Sequence, residues 1–271
     1  MNPKTIRSCL QEATNLLPTR EAEVLTCEAL NISRTILYAH PERLTKSSTA
    51  RRHKYWLQRR RVGEPIAYIT GSKEFWSLNF DINRSVLIPR HDTETLVEVA
   101  IELANPADRI LDLGCGSGAI SISIAHNTDT TVFACDIDPD CIELTLKNAR
   151  KHAATIATFE SDWFTQVFGE YDLIVSNPPY LAPDDPHLSS SDLRWEPQHA
   201  LISENNGLEY LTSIITSSME FLRPGGNLIV EHGYNQQSFV TNLFKQSGFV
   251  QIENYKDLAG VPRVTKGVRH E

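Results

Sequence analysis

The chain has 271 residues, a formal net charge of −8, and 41% hydrophobic and 22% charged residues. This length suits one large domain or two unequal ones, and the composition is that of a globular chain that buries a core. The acidic balance argues against a protein whose main task is to grip a phosphate backbone. No apolar stretch approaches the roughly 18 residues that span a bilayer, and the first residues lack the apolar block of a signal peptide. We therefore expect a cytoplasmic protein without a membrane partner.

Five cysteines and nine histidines are scattered along the chain. The number of cysteines is odd and no Cys-x-x-Cys pair occurs, so neither a disulfide framework nor a structural zinc site is expected. The histidines show no ligand spacing, and we assign no metal.

The first third of the chain predicts four helices. Apolar residues recur at helical spacing from Ile6 to Leu17 and from Ala22 to Ile32. Ser33 is a candidate N-cap of a third helix, and Gly63 stops a fourth. We expect a small helical bundle in residues 1–65.

The fourth predicted helix contains the basic run "RRHKYWLQRRR", from Arg51 to Arg61. We favour a solvated helix face whose Tyr55, Trp56 and Leu57 supply core contacts. A docking face for RNA or for an acidic partner is the alternative.

The hydrophobic period changes after residue 65. The segments "IAYITG" and "FWSLNFDI" are rich in aromatic and β-branched residues, and we predict that they pair as a β-hairpin. This hairpin is interpreted as a connector, residues 66–88. Residues 89–271 then form the largest domain, with a helix that begins at Asp92 or Thr93.

From Arg109 onward, strand-like and helix-like segments alternate, and helices are predicted to begin after Gly118 and at Pro139, Asn205 and Gln236. Near-continuous apolar strands joined by helices predict a mostly parallel sheet covered on both faces. The last two strands are separated only by the turn "KDLAGVP", so they should form an antiparallel hairpin at the end of the sheet. We therefore predict an α/β, Rossmann-like fold with seven strands. The candidate strands are "RILDL", "TVFACD", "ATF", "YDLIVS", "GNLIVEH", "VQIENY" and "RVTKGV".

The first of these strands runs into a glycine-rich turn and then a helix. Glycines let the backbone approach a ligand closely, and the first N–H groups of the helix point at that ligand. Asp136 ends the next strand, where a carboxylate can accept hydrogen bonds from ribose hydroxyls. The turn consists of Gly114, Cys115, Gly116, Ser117 and Gly118.

Two cofactor classes compete for this turn. The run "GCGSGA" also satisfies G-x-G-x-x-A, with Ala119 in the last position, so an NAD-dependent dehydrogenase is an alternative. Asp112 weighs against it, because a carboxylate two residues before the first glycine suits an ammonium group better than a pyrophosphate. S-adenosyl-L-methionine carries such an ammonium and no phosphate. Because no later segment offers a hydride-transfer constellation, we favour this cofactor.

The stretch "ESDWF" follows the third predicted strand of the sheet. Asp162 is placed to accept a hydrogen bond from the adenine amino group, and Trp163 offers a flat apolar face to the ring. A tryptophan after a strand is more often part of the core. Its place beside the glycine turn favours the binding interpretation.

The fourth strand of the sheet ends in "SNPPY". Two consecutive prolines cannot continue a sheet, because neither has an N–H to donate. The side-chain oxygen of Asn177 and the carbonyl of Pro178 form a pair of acceptors that suits a planar –NH₂ group, and Tyr180 offers a face for it. Since ligands of open α/β sheets bind at the carboxyl ends of strands, Asn177, Pro178, Pro179 and Tyr180 are expected to hold the methyl acceptor.

These motifs resemble the amino-methyltransferases of the class I S-adenosylmethionine-dependent fold. The finer resemblance covers nearly the whole chain and is to the release factor glutamine methyltransferases. It is carried by the stretches "RRRVGEPIAYITGSKEFWSLNFDI", "VLIPRHDTETLVE", "SDWF", "IVSNPPYLAPDDPHL", "WEPQHAL", "NGLEYL", "PGGNLIVEHGYNQ" and "DLAGVPRV".

The resemblance implies an enzyme that methylates N5 of the glutamine in the Gly-Gly-Gln motif of peptide chain release factors and leaves S-adenosyl-L-homocysteine. It implies that Asn177, Pro178 and Tyr180 are catalytic and that the helical N-terminal domain helps to hold the release factor. Two departures, His91 in "RHDTE" and "ISENNGL" without a usual glycine, concern local loop shape. The implied cofactor contacts are Gly114 through Gly118, Asp136, Trp163 and Asn177, to which the residues themselves add Asp112 and Asp162.

Two rival functions stay open at this point. Adenine-N6 methylation of nucleic acid needs the same acceptors, although the acidic balance weighs against a direct nucleic-acid substrate. A catalytically silent adaptor that binds translation factors is the second rival, and an intact Asn177 argues against it. A monomer is the default expectation.

Overall fold

A computed structural model describes residues 4–189 and 192–270. Within them the chain divides into two compact units. The first comprises the described part of Met1–Ser72 with the short segment Ser189–Trp195, and the second the described part of Lys73–Leu188 and Glu196–Glu271.

The first unit is helical. Thr5 and Ser33 accept hydrogen bonds from backbone N–H groups through their side chains, which caps the first and third helices and confirms the predicted Ser33 cap. Ala13, Leu25 and Leu57 are fully buried between the helices. The helices are α1 (Ile6–Thr14), α2 (Thr19–Leu30), α3 (Arg34–Ala39), α4 (Ser47–Arg61) and α5 (Ile66–Thr70).

The prediction of a strand in "IAYITG" is wrong, because this stretch forms α5. Pro65, with φ −56°, directly precedes the helix, and Gly71, with φ 76°, ends it in the left-handed conformation. Three consecutive residues, Ala67 to Ile69, are buried. A short element buried on several sides carries no period that separates helix from strand, so local β-propensity was overridden by the flanking Pro and Gly.

The basic segment supports the fold of the first unit. Arg60 on α4 contacts the carboxylates of Glu21 at 2.7 Å and Asp192 at 2.8 Å. Arg59 pairs with the buried Glu64 at 2.6 Å. Arginine forks of this kind are suited to tying helices and loops together. The predicted core contact of Leu57 is confirmed.

Tyr55, on the same helix, differs from the prediction that it supplies a core contact. Its side chain is 59% exposed, so the predicted core contact of Tyr55 is wrong. The ring instead lies under the guanidinium of Arg59, 5.7 Å from its centroid.

The second unit begins with a short hairpin of β1 (Ser72–Phe75) and β2 (Leu78–Asp81). Trp76 and Ser77 between them both have positive φ, as two-residue hairpin turns require. The main elements follow in chain order. They are α6 (Glu94–Leu103), β3 (Arg109–Leu113), α7 (Ala119–Asn127), β4 (Thr131–Asp136), α8 (Pro139–Lys151), β5 (Ile156–Glu160), β6 (Tyr171–Ser176), α9 (Glu204–Gly207), α10 (Glu209–Ser217), β7 (Leu222–Glu231), α11 (Gln237–Gln246), β8 (Phe249–Lys256) and β9 (Pro262–Arg269).

Within the described residues, seven strands form one sheet in the order β5-β4-β3-β6-β7-β9-β8. The strands β5, β4, β3, β6 and β7 run parallel to one another, and β9 lies antiparallel between β7 and β8. This confirms the predicted fold, including the antiparallel terminal hairpin.

One predicted helix begins later than expected. Asn205 and Asn206 both adopt the left-handed conformation, so the predicted start at Asn205 is wrong and the regular helix begins at Glu209. Asparagine tolerates this conformation well.

The strand register brings the predicted site together. Leu113, the last residue of β3, lies beside Cys135 of β4 on one side and Ser176 of β6 on the other. Ser176 in turn lies beside Val230 of β7. The segments that follow these four strands therefore share one edge of the sheet, where ligands of open α/β sheets bind. Among the described helices, none is long and apolar enough to cross a membrane.

Candidate active site

A cavity of about 500 Å³ opens at this edge. Its wall contains most of the residues that the sequence pointed to, while Asp112, Gly118, Pro178 and Tyr180 lie outside it. The predicted residues in the wall are Gly114, Cys115, Gly116, Ser117, Asp136, Asp162, Trp163, Asn177 and Pro179.

The glycine turn presents its backbone to the cavity. The N–H groups of Gly114 and Cys115 both donate to the carbonyl of Cys135 at 2.9 Å, which holds the turn against β4. Gly116 has φ 54°, and a Cβ added there would meet no atom within 4 Å. The open space beside Gly116 allows a ligand to approach the main chain closely.

The side chain of Asp112 is buried behind this turn. Its Oδ2 accepts a hydrogen bond from the N–H of Ser121 at 3.1 Å, whereas Oδ1 has no partner among the residues that the structure describes. Burial raises the pKa of the Asp112 carboxyl to about 7. An unpartnered buried carboxylate oxygen is costly, and a cationic ligand group would compensate for it.

Asp136 lies in the cavity wall and is held rigidly. Its two oxygens accept hydrogen bonds from the N–H groups of Gly116 at 2.9 Å and Asp138 at 3.1 Å. Burial raises its pKa above the usual value. Each carboxylate oxygen keeps a free lone pair, so Asp136 can accept from the two hydroxyls of a ribose.

Two aromatic rings flank the same part of the cavity. Trp163 and Tyr210 have ring centroids 5.2 Å apart and both line the wall. Trp163 adopts φ 49°, and its ring would meet a Cβ on Gly114 at 3.5 Å. Asp162, which precedes it, is exposed at the cavity mouth. Flat apolar faces beside an accessible carboxylate suit a purine with an amino group.

Asn177 has a defined orientation. Its Nδ2 lies 3.1 Å from the hydroxyl oxygen of Thr93, at the start of α6. Its Oδ1 is buried and has no partner in the described part of the chain. The side chain therefore keeps an acceptor available to a ligand N–H in the cavity.

The turn after Asn177 is fastened from two sides. The hydroxyl of Tyr180 lies 3.1 Å from Oε1 of Glu231, and its carbonyl accepts from Nε2 of Gln236 at 3.0 Å. The backbone also passes so close to Gly207 that a Cβ there would lie 2.1 Å from the Tyr180 oxygen. Tyr180 thus anchors the turn, in addition to any contact with the substrate.

A loop before α6 forms another part of the wall, with Leu87 and Pro89 facing the cavity. The buried carboxylate of Glu196 holds this loop. It accepts a hydrogen bond from the N–H of Ile88 at 3.0 Å and pairs with the guanidinium of Arg90.

Sequence reasoning missed Thr93, Tyr210, Glu196 and Glu231. Glu231 had a usable signal, since it ends the strand that lies beside β6. The other three follow no strand end, and their partners lie far along the chain.

This set of residues fits S-adenosyl-L-methionine. The buried Oδ1 of Asp112 lacks a partner within the described part of the chain, Asp136 offers acceptors for ribose, and Trp163 and Tyr210 offer faces for adenine. The cavity is of a size that holds a ligand of this kind.

Comparison with known proteins agrees with this description. Residues 91–190 match the family described as Methyltransferase small domain, and residues 4–71 match the PrmC N-terminal domain. The solved structure of a methyltransferase from Pyrococcus furiosus covers 83% of this chain and 100% of its own, with a TM-score of 0.56 and 16% identity, which shows the fold alone.

Two curated relatives align over almost the entire chain. The release factor glutamine methyltransferase of Salmonella typhimurium is 42% identical and covers 95% of this chain and 96% of its own length. The protein of the same name from Aliivibrio fischeri is 40% identical, with 97% and 94% covered. The chain therefore belongs to the release factor glutamine methyltransferase family.

Proposed function

We propose that this enzyme transfers the methyl group of S-adenosyl-L-methionine to N5 of the glutamine in the Gly-Gly-Gln motif of peptide chain release factors. S-adenosyl-L-homocysteine is the second product. The relatives that cover nearly the whole chain carry the name of this activity. Since release factors act on ribosomes, we expect the enzyme to meet its protein substrate in the cytoplasm. We also expect that it acts as a monomer.

The observation that carries the proposal is the unpartnered Oδ1 of Asn177 at the cavity wall. A primary amide has two N–H donors and a nitrogen whose lone pair is delocalised. Oδ1 of Asn177 accepts one of these donors, and we assign the second to the carbonyl of Pro178. Two acceptors fix the plane of the amide, so that the nitrogen faces the methyl donor.

The cofactor supplies an electrophilic methyl carbon on a sulfonium centre. The chain supplies orientation and electrostatics: two oxygen acceptors stabilise the positive charge that develops on the amide nitrogen. Neither a metal nor a covalent enzyme intermediate is required. The proton that the nitrogen loses passes to solvent.

The test is mass spectrometry of a purified release factor after incubation with the full-length protein and cofactor. We expect the mass of one methyl group on the Gly-Gly-Gln peptide. A nucleic-acid substrate offered in parallel should gain none. Methyl transfer to nucleic acid in place of the release factor would overturn the proposed substrate.

Asn177→Ala should lower kcat at least about 100-fold while S-adenosyl-L-methionine still binds in calorimetry. Asn127→Ala, an exposed position at the far end of α7, is the matched control and should keep full activity. Full activity in Asn177→Ala would remove Asn177 from the mechanism.

A further inference from the structure

Four residues from three segments connect the cavity wall, where Asn177 and Thr93 lie, with the buried Glu231 behind it. Asn177 lies 3.1 Å from the hydroxyl of Thr93, and the hydroxyl of Tyr180 lies 3.1 Å from Oε1 of Glu231. Glu231 is 1% exposed, Thr93 is 4% exposed, and α6 packs against both β6 and β7. Glu231 is absent from the cavity wall and almost fully buried, so we expect it to act on the substrate through its neighbours.

The two carboxylate oxygens of Glu231 differ in their hydrogen bonding. Oε1 accepts from Tyr180, whereas Oε2 is buried and has no hydrogen-bond partner at normal geometry among residues 4–189 and 192–270. Thr93 is the N-cap residue of α6, which packs against β7, and Glu231 is the last residue of β7. Burial raises the pKa of Glu231, and the hydroxyls of Thr93 and Tyr180 act against this effect. A hydroxyl next to a carboxylate donates its proton to it.

The group to which the Thr93 hydroxyl donates its proton determines the orientation of the Asn177 side-chain amide. A threonine hydroxyl has one proton and can also accept. If its proton is directed to Glu231, the oxygen can only accept from Asn177, which puts Nδ2 on Thr93 and leaves Oδ1 free. If the proton were directed to Asn177, Oδ1 would be occupied and Nδ2 would face the substrate. Two –NH₂ groups would then meet, with no acceptor between them.

We propose that Glu231 is a positioning residue for methyl transfer: its carboxylate orients the Thr93 hydroxyl, which orients the Asn177 amide so that Oδ1 faces the substrate nitrogen. This inference rests on the proposed function, since it assigns a role to the same site. It adds two residues, Thr93 and Glu231, to those that the reaction needs.

Charged groups on the neighbouring elements set the protonation state of Glu231. Arg263 on β9 favours the ionised form and Asp92, just before α6, disfavours it. Arg263 itself pairs with Asp92 at 2.8 Å and Asp257 at 3.2 Å. Burial is the largest effect, and the pKa of Glu231 is raised to about 7. The carboxylate is therefore ionised above neutral pH and protonated below it.

The first test is Glu231→Gln in the full-length protein. Glutamine keeps an acceptor for Tyr180 but directs an N–H₂ group at Thr93, which reverses the hydroxyl. We expect kcat to fall about 10- to 100-fold at saturating cofactor and release factor, with unchanged cofactor affinity in calorimetry. The matched control is Glu253→Gln on β8, where the acid is exposed and pairs with Lys266, and it should keep wild-type kcat.

The pH profile separates positioning from simple structural support. Wild-type kcat should rise about tenfold from pH 6 to its plateau above pH 8, as Glu231 ionises. The profile of Glu231→Gln should be flat over the same range. An unchanged profile in the variant, or wild-type kcat in it, would overturn the proposal.

Thr93 provides a second set of variants. Thr93→Val removes the hydroxyl and should lower kcat as much as Glu231→Gln, and Thr93→Ser should restore most of it. The double variant Thr93→Val/Glu231→Gln should be no slower than either single variant, because both act through one orientation. Additive losses would mean that the two residues act independently and would refute the inference.

A measurement that does not depend on methyl transfer distinguishes this inference from the proposed function. Absence of methylation by the wild type would refute the function alone. In ¹⁵N NMR the Asn177 side-chain protons, identified by their absence in Asn177→Ala, should exchange slowly in the wild type because of the bond to Thr93. Glu231→Gln should speed their exchange about tenfold or more, and equal exchange rates would refute the orientation mechanism.

Discussion

Two glycines in one turn, Gly116 and Gly118, serve different purposes, although the sequence pattern treats them alike. Gly116 faces open space in the cavity, whereas a Cβ on Gly118 would lie 2.9 Å from side-chain atoms of Ile122 and Thr145. Both glycines have positive φ. The first therefore serves ligand approach, and the second serves the packing of α7 against α8.

This difference predicts that alanine substitutions at the two positions have different main effects, one on stability and one on cofactor binding. Gly118→Ala should lower the free energy of unfolding by about 2–4 kcal/mol, because it adds overpacking to backbone strain. Gly116→Ala should lower it by only about 1 kcal/mol and should weaken cofactor binding more than tenfold, because its methyl group enters the cavity. Urea denaturation and calorimetry on both variants measure these effects. A reversed order of the two stabilities would contradict this assignment.

Among the longer segments, the loop of residues 85–90 shows how a part of the wall without regular structure is kept in place. Its backbone at Ile88 and the side chain of Arg90 both bond to the one carboxylate of Glu196. That carboxylate is fully buried. The loop therefore depends on a single side chain more than 100 positions away in the sequence.

Glu196→Ala should release this loop. It leaves the buried N–H of Ile88 and the guanidinium of Arg90 without their acceptor, so we expect a loss of about 3–5 kcal/mol in the free energy of unfolding. Since Leu87 and Pro89 line the cavity, cofactor affinity should also fall. Glu170→Ala, at an exposed acid, is the control and should change neither quantity. Wild-type cofactor affinity in a folded Glu196→Ala protein would show that the loop does not depend on this clamp.

The buried acids Asp112 and Glu231 make the stability of the whole molecule depend on pH. The pKa values of Asp112 and Glu231 are raised to about 7 by burial, while their values in the unfolded chain lie near 4. A raised carboxyl pKa contributes stability at low pH that is lost as the pH rises through the folded-state value. Burial lowers the pKa of His53 to about 4, so His53 acts in the opposite direction between about pH 4 and 6.5. Burial also lowers the pKa of His232, which therefore acts in the same direction as His53.

Comparison of Asp112→Asn with the wild type cancels the histidine contributions. The variant has no charge to bury at this position. Its stability relative to the wild type, without cofactor, should therefore improve by about 2–3 kcal/mol between pH 5 and pH 8. Urea denaturation at the two pH values measures this difference. A difference that stays constant with pH would mean that Asp112 is not the group that titrates.

The linear sequence was enough for the succession of strands and helices along the second unit, and most of the site residues that it predicted lie in the cavity wall. The glycine turn, Asp136 and Asn177 all follow predicted strands directly. Because parallel strands end at one edge, local patterns alone placed these residues together. The four N-terminal helices were equally readable, the first two from a regular apolar period and the other two from the Ser33 cap and the stop at Gly63.

Three-dimensional packing settled what depends on distant partners. The helical state of α5 was hidden from the sequence because burial on several sides erases the period that separates helix from strand. The roles of Thr93, Glu196 and Glu231 follow from bonds across roughly 50 to 110 positions. Such bonds form only once the sheet order brings β6 beside β7 and α6 over both. A hydrogen bond between distant residues leaves no trace in either local stretch, and the orientation of Asn177 therefore emerged only from the folded chain.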